Sequence, residues 1–164
     1  MEERATEACR TGGESTDRVR EAFSRCGVYS AMTQGVSMQP LFHTHDSTLY
    51  ILPLTEEAKK YDVVLYPKRG SEEYILHRVV GVREREYLIR GDNTFILEHV
   101  PKACVLGVLS EFVRRGKHHT TAELGYRIYS RVWTAIYPLR ALLHKGKLLA
   151  YALLRRLRRL WRSK

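Results

Sequence analysis

"EYILHRVVGV", residues 73–82, decides the fold class, and a similar stretch, "EYLIRGDN", follows it at residues 86–93. Both stretches are rich in β-branched, aromatic and other apolar residues, and the charged segment "REREY" joins them. Two short apolar runs on either side of a charged turn are typical of a β-hairpin. The pattern therefore predicts two neighbouring antiparallel strands.

Similar short runs lie on both sides of this hairpin, at residues 28–36, 47–54, 61–67 and 103–113. Pro53 and Pro67 end two of them, and no helical pattern alternates with them as in a βαβ unit. Residues 28–118 are therefore predicted to form a mainly β domain, a bent sheet of antiparallel or mixed strands.

A short helix is predicted before the β domain, within an N-terminal polar segment that spans residues 1–27. Four apolar residues have helical spacing, namely Val19, Ala22, Phe23 and Cys26. Three residues are candidates for the N-cap, namely Ser15, Thr16 and Asp17. Gly27 stands where a glycine commonly ends a helix.

Residues 119–164 are predicted to form a basic amphipathic helical tail that Pro138 interrupts. Residues 120–164 contain eleven Lys and Arg but one acid, so they account for the whole net charge of +10. Such a tail suits an anionic membrane surface. The residues assigned to that contact are Trp133, Arg155, Arg156, Arg158, Arg159 and Trp161. A hairpin packed on the β domain and a nucleic-acid contact are the alternatives.

Composition limits the classes of protein that fit. A chain of 164 residues with 44% hydrophobic residues forms one ordinary domain, and no apolar run reaches the length of a membrane span. The charged N-terminus lacks the apolar core of a secretory signal, which favours a cytoplasmic protein. Three widely spaced cysteines predict reduced thiols, and neither a metal site nor a cofactor is expected.

Three polar residues are candidates for chemistry. Ser37 lies in "GVSMQPLF", residues 35–42, and Asp92 lies in the turn-like "RGDN". His77 lies inside an apolar strand, where period-2 alternation places it with Ile75 and Val79, opposite Leu76 and Arg78. Taken singly, each has an ordinary structural explanation, because turns favour Ser and Asp and a buried histidine can bond a backbone carbonyl.

Taken in order, the motifs "GVSMQP", "YDVVLYP", "ILHRVVGV" and "LIRGDN" resemble the signal peptidase and LexA-type clan of serine peptidases. The resemblance covers residues 28–113 and is strongest to small stand-alone bacterial members. Histidine stands where many members have a lysine base, which is similar to the Ser-His branch of endoplasmic-reticulum and spore-former signal peptidases.

The resemblance implies a role for each site residue. Ser37 is the nucleophile, His77 the base, and Asp92 the acid that orients the base, with Glu98 as the alternative. Gly35 stands where the branch often has a serine, so the oxyanion would depend on backbone N–H groups at Gly35 and Ser37. The substrate-pocket residues are Met38 and Pro40. Arg78 follows the base and is interpreted as an exposed strand residue without a catalytic role.

The function expected from this resemblance is a serine endopeptidase that cleaves leader or signal-type peptides, with small residues before the cut, at the inner face of the cell membrane. One alternative is an inactive membrane-associated binding module on the same fold. Another is a LexA-like self-cleaving regulator, which suits the sequence less well because only about 27 residues precede the β domain and leave little room for a DNA-binding domain. No specific nucleic acid is expected as a partner, and the sequence leaves the oligomeric state open.

Overall fold

The computed structural model describes the backbone of residues 13–162 and, towards both ends of that range, only part of the side chains. The rest of the predicted N-terminal polar segment lies outside the described residues. The helices are α1 (Gly13–Cys26), α2 (Leu124–Ala135) and α3 (Tyr137–Arg162), and a short 3-10 turn covers Lys102–Cys104. The strands are β1 (Tyr29–Met32), β2 (Ser47–Pro53), β3 (Val63–Pro67), β4 (Tyr74–Val82), β5 (Glu86–Arg90), β6 (Glu98–Pro101), β7 (Gly107–Arg114) and β8 (Lys117–Thr120).

The eight strands form one sheet in the order β1-β2-β7-β3-β4-β5-β6, and β8 pairs with β7. Every pairing is antiparallel. Register shifts interrupt β2 between Tyr50 and Ile51 and β4 between Val79 and Gly81. Such irregularities bend and twist strands. The predicted class, a mainly β fold with a short N-terminal helix and C-terminal helices, is confirmed.

Two hydrophobic cores contribute to the fold, and β4 supplies side chains to both. One core contains Val79, against which Ile75 packs, while Leu76 packs against the other core. His77 contacts Tyr66, a member of the Val79 core. The predicted alternation along β4 is therefore confirmed, and it presents the imidazole on the same face as Ile75 and Val79.

Helix α1 covers one of these cores with the apolar residues that the sequence pattern identified. Val19 is fully buried, and Phe23 packs beside it. Gly27 has a φ of 70°, and its N–H donates to the carbonyl of Phe23, so the predicted C-terminal glycine is confirmed. The N-cap prediction at residues 15–17 is wrong, because the helix already includes Gly13.

The C-terminal helices begin directly after the sheet. Strand β8 contains the predicted boundary between residues 118 and 119. Helix α2 ends at Ala135, and Pro138 occupies the first turn of α3, where its missing N–H costs no helical hydrogen bond. No helix in residues 13–162 is long and apolar enough to cross a membrane.

Two side chains, those of Cys104 and Trp133, differ from the predictions made from the sequence. Cys104 is disulfide-bonded, so the prediction of a reduced thiol is wrong for this residue, whereas Cys26 is free and exposed. Trp133 was assigned to the membrane contact, but its indole N–H donates to the backbone carbonyl of Asp92 at 2.9 Å. Helix α2 packs on the β domain because its polar and aromatic side chains find partners there.

Candidate active site

His77 lies on β4 with its two ring nitrogens in different environments. Nδ1 lies 2.8 Å from Oε1 of Glu98 and 3.2 Å from the hydroxyl of Tyr66. The Tyr66 hydroxyl donates to the second oxygen of Glu98 at 3.0 Å. A carboxylate beside Nδ1 holds the proton on that nitrogen, which leaves Nε2 as a proton acceptor. Within residues 13–162, Nε2 makes no hydrogen bond.

Glu98 reaches His77 from the neighbouring sheet region. Glu98 lies on β6, which pairs with β5, and β5 pairs with β4, which contains His77. These two strand pairings bring the Glu98 carboxylate to the imidazole. Partial burial raises the pKa of Glu98, but hydrogen bonds from His77 and Tyr66 and the electrostatic interaction with His77 outweigh burial and hold that pKa below its usual range. Glu98 is therefore an anion at neutral pH.

Tyr66 is held in its neutral, donating form. Burial raises the pKa of its hydroxyl far above the usual value, and the adjacent Glu98 carboxylate raises it further. Neither composition nor motif identified Tyr66, because a tyrosine in an apolar strand is ordinary. Tyr66 pairs with Ile75 and lies two residues after Val64, which pairs with His77. Period-2 alternation along the strand was therefore the available signal.

Asp92 serves a different ion pair. Its carboxylate oxygens accept from Nε and a terminal nitrogen of Arg78 at 2.8 and 2.7 Å, and the hydroxyl of Tyr129 donates to it at 2.9 Å. The preference for Asp92 over Glu98 as the acid that orients His77 is therefore wrong. Asp92 already satisfies a buried guanidinium, whereas Glu98 contacts the imidazole.

Arg78 was predicted to be exposed, and this is also wrong, since only 1% of its surface is accessible. The other terminal nitrogen of the guanidinium donates to the carbonyl of Tyr61 and the hydroxyl of Ser130, at 2.9 Å each. Burial lowers the pKa of Arg78, but its bonds to Asp92 outweigh burial and raise that pKa overall. The arginine is a permanently charged structural residue that α2 covers.

Ser37 lies in the loop between β1 and β2, two residues after Gly35, which has a φ of 79°. Within residues 13–162, neither the N–H of Ser37 nor that of Met38 donates a hydrogen bond. Free backbone N–H groups beside a hydroxyl are the donors that an oxyanion requires. The hydroxyl of Thr44 binds the carbonyl of Gly35 and fixes the loop without using these N–H groups.

Gly91 shows how close the Ser37 loop comes to His77. A Cβ added at Gly91 would lie 2.7 Å from the carbonyl oxygen of Ser37 and 2.9 Å from Nε2 of His77. Both groups therefore contact the same small region, and only glycine leaves room for them. In the described part of the chain, no hydrogen bond joins the Ser37 hydroxyl to His77.

Ser37 and His77 also line one open cavity of about 760 Å³. Strands β1, β2, β3 and β4 contribute to its wall. Met38 lines this cavity as predicted, whereas Pro40 is exposed and does not. Apolar side chains of the wall include Leu49, Ile51, Leu65 and Leu76. The cavity is large enough for several residues of an extended peptide.

Ser37, the candidate nucleophile, and His77, the candidate base, line the same cavity. The Glu98 carboxylate contacts the ring nitrogen of His77 opposite Nε2. No group of three or more His, Cys, Asp and Glu side chains within residues 13–162 could hold a metal ion. No family model matches the chain, and no curated protein matches it.

Proposed function

We propose that the protein is a serine endopeptidase of the signal-peptidase type, with Ser37 as nucleophile, His77 as base and Glu98 as the orienting acid. One observation carries the proposal. The nitrogen of His77 that faces away from Glu98 makes no hydrogen bond within residues 13–162 and lies beside the Ser37 backbone, at a cavity that both residues line. A base oriented by an acid and adjacent to a hydroxyl is the arrangement that activates serine.

In the proposed reaction, Nε2 of His77 removes the proton from the Ser37 hydroxyl as Oγ attacks the peptide carbonyl. The resulting imidazolium is stabilised by the Glu98 carboxylate across Nδ1. His77 then gives its proton to the leaving amine, the C–N bond breaks, and an acyl-enzyme remains. Water, deprotonated by His77, hydrolyses the ester and restores Ser37.

The negative charge on the attacked carbonyl requires donors. The N–H groups of Ser37 and Met38, which donate no hydrogen bond in the described part of the chain, are available for it, and glycine at position 35 supplies no side-chain hydroxyl. The apolar side chains of the cavity wall suit an uncharged substrate residue before the cleaved bond. A small residue at that position agrees with the resemblance to signal peptidases and is part of the proposal.

A fluorophosphonate probe tests the chemistry without knowledge of the substrate. Wild-type protein is expected to become covalently labelled, and Ser37→Ala and His77→Ala are expected to abolish labelling because they remove the nucleophile and its base. Ser30→Ala is the matched control, since Ser30 is exposed on β1 and lies outside the cavity wall. Mass spectrometry of the labelled peptide identifies the modified residue. Unlabelled wild type, or equal labelling of Ser37→Ala, would contradict the proposal.

The proposed place of action is an anionic membrane surface, through α3. Four leucines at helical spacing are 59–67% exposed on this helix, namely Leu139, Leu142, Leu143 and Leu149. The same helix contains Lys145, Lys147 and Arg155. An exposed apolar stripe beside basic residues is typical of helices that lie in a membrane interface, where each basic residue contributes about 1 kcal/mol.

Flotation with vesicles tests this placement. The full chain is expected to float with vesicles that contain phosphatidylglycerol and to remain unbound with phosphatidylcholine alone. Leu142→Ser combined with Leu149→Ser is expected to lower the vesicle-binding constant at least about 100-fold, because each leucine buried in the membrane interface contributes about 1.5–3 kcal/mol. Val82→Ser, at an exposed apolar residue of β4, is the control. Equal flotation of all variants would contradict the role of α3.

A non-catalytic membrane-binding module on the same fold is the second candidate. The observation that favours it is the lack of a hydrogen bond between the Ser37 hydroxyl and His77 in the described part of the chain, together with glycine at position 35. Binding to vesicles without labelling of Ser37 is the result that this candidate predicts.

A further inference from the structure

The loop after β5 is held by side chains from both C-terminal helices. The backbone carbonyl of Asp92 accepts two hydrogen bonds, from Nε1 of Trp133 at 2.9 Å and from a guanidinium nitrogen of Arg140 at 2.6 Å. The guanidinium of Arg140 also lies over the Trp133 ring, 4.0 Å from its centre. The two donors therefore support each other while they bind one oxygen.

The same loop holds the backbone of the proposed nucleophile. The N–H of Asn93 donates to the carbonyl of Ser37 at 2.7 Å, and the side-chain amide of Asn93 donates to the carbonyl of Val36 at 3.2 Å. These bonds fix the peptide groups on both sides of the Ser37 Cα atom. The position of Ser37 relative to His77 is thus set by Asn93.

One peptide unit connects the two sets of contacts. The carbonyl of Asp92 and the N–H of Asn93 belong to the same planar peptide bond, so the orientation of one group dictates that of the other. Donors on the oxygen also polarise the N–H at the opposite end and strengthen the bond that it makes. Helices α2 and α3 therefore act on Ser37 through a single rigid group.

We infer that Trp133 and Arg140 are positioning residues for Ser37, although neither lines the cavity. This inference rests on the proposed peptidase function for its catalytic consequence. Loss of either donor allows the Asp92–Asn93 peptide to rotate, and the Ser37 backbone then loses its fixed place beside Nε2 of His77. Misplacement of a reacting group by about 1 Å can reduce a rate about 10²-fold.

Trp133→Phe and Arg140→Ala test the inference. Each is expected to lower the maximal rate of fluorophosphonate labelling about tenfold, which is the effect of one lost hydrogen bond of ordinary strength. The probe concentration at half-maximal rate should stay unchanged, because the cavity wall is intact. Arg140→Lys keeps a charged donor and is expected to restore part of the rate. Arg131→Ala is the matched control, since the Arg131 guanidinium lies on the same helix as Trp133 but binds the carbonyl of Arg127 and the ring of Tyr61 instead of the Asp92 carbonyl.

Amide hydrogen exchange at Asn93 provides a readout that does not depend on activity. Exchange of this N–H, followed by NMR in the full-length protein, is expected to rise about tenfold in Trp133→Phe and Arg140→Ala while amides of β2 and β7 keep their protection. Exchange at the wild-type rate would overturn the inference. If wild type fails to label but the variants raise Asn93 exchange, the peptidase proposal fails and the connection from α2 and α3 to Ser37 stands.

Discussion

Arg78→Met is expected to lower the free energy of unfolding by about 3–5 kcal/mol, because it leaves a buried charge without its partner. The side chains of Arg78 and Asp92 are 1% and 3% exposed, and two hydrogen bonds join them. Methionine fills much of the space but leaves the Asp92 carboxylate buried without its cation. The hydroxyl of Ser130 and the carbonyl of Tyr61 lose a donor as well.

Urea denaturation followed by circular dichroism measures this loss. Arg83→Met is the control, because the ion pair between Arg83 and Glu86 is exposed and contributes less than about 1 kcal/mol. The double variant Arg78→Met, Asp92→Leu removes both buried charges and should recover part of the lost stability. If Arg78→Met unfolds at the same urea concentration as wild type, the ion pair of Arg78 and Asp92 does not stabilise the fold and the prediction is wrong.

Glu98→Gln is expected to reduce the rate of catalysis, or of fluorophosphonate labelling, about 10³–10⁴-fold while the protein stays folded. The amide occupies nearly the same volume but carries no charge to stabilise the imidazolium that forms on His77. It can also present an N–H to Nδ1, which would favour the tautomer with its proton on Nε2 and remove the base. The Glu98 carboxylate is partly exposed, so the cost in stability is small.

Glu86→Gln is the matched control for this substitution. Glu86 also contacts a histidine, His99, at 3.0 Å, but that pair is on the surface and away from the cavity wall. Glu86→Gln should leave the labelling rate unchanged. A Glu98→Gln protein that labels at the wild-type rate would restrict the site to a Ser-His dyad and assign Glu98 a structural role.

The sequence predicts local features of this molecule well. Alternation along β4 is a property of neighbouring residues, so the face of His77 could be predicted from residues 74–82 alone. Gly27 at the end of α1 is similarly local. The apolar runs also identified the sheet, because strands with buried faces require them.

Long-range partners could not be predicted in this way. Whether Asp92 or Glu98 contacts His77 depends on the pairing of β5 with β6 and on Arg78, which competes for Asp92. The burial of Arg78 depends in turn on α2, which begins 46 residues later in the chain. The assignment of Trp133 to a membrane contact fails for a similar reason. Its hydrogen-bond partner is the backbone carbonyl of Asp92, which no sequence pattern reveals.

The strand order has a consequence for synthesis of the chain on the ribosome. Strand β7 lies between β2 and β3 in the sheet although it follows both in sequence. The pairings of β7 with β2 and with β3 therefore cannot be completed until residue 114 has left the ribosome. The peptide that holds Ser37 gains its donors later still, from residues 133 and 140. Pairing over such sequence distances slows folding. A nascent copy therefore cannot assemble the candidate site until residue 140 has emerged, so the proposed activity requires the completed fold.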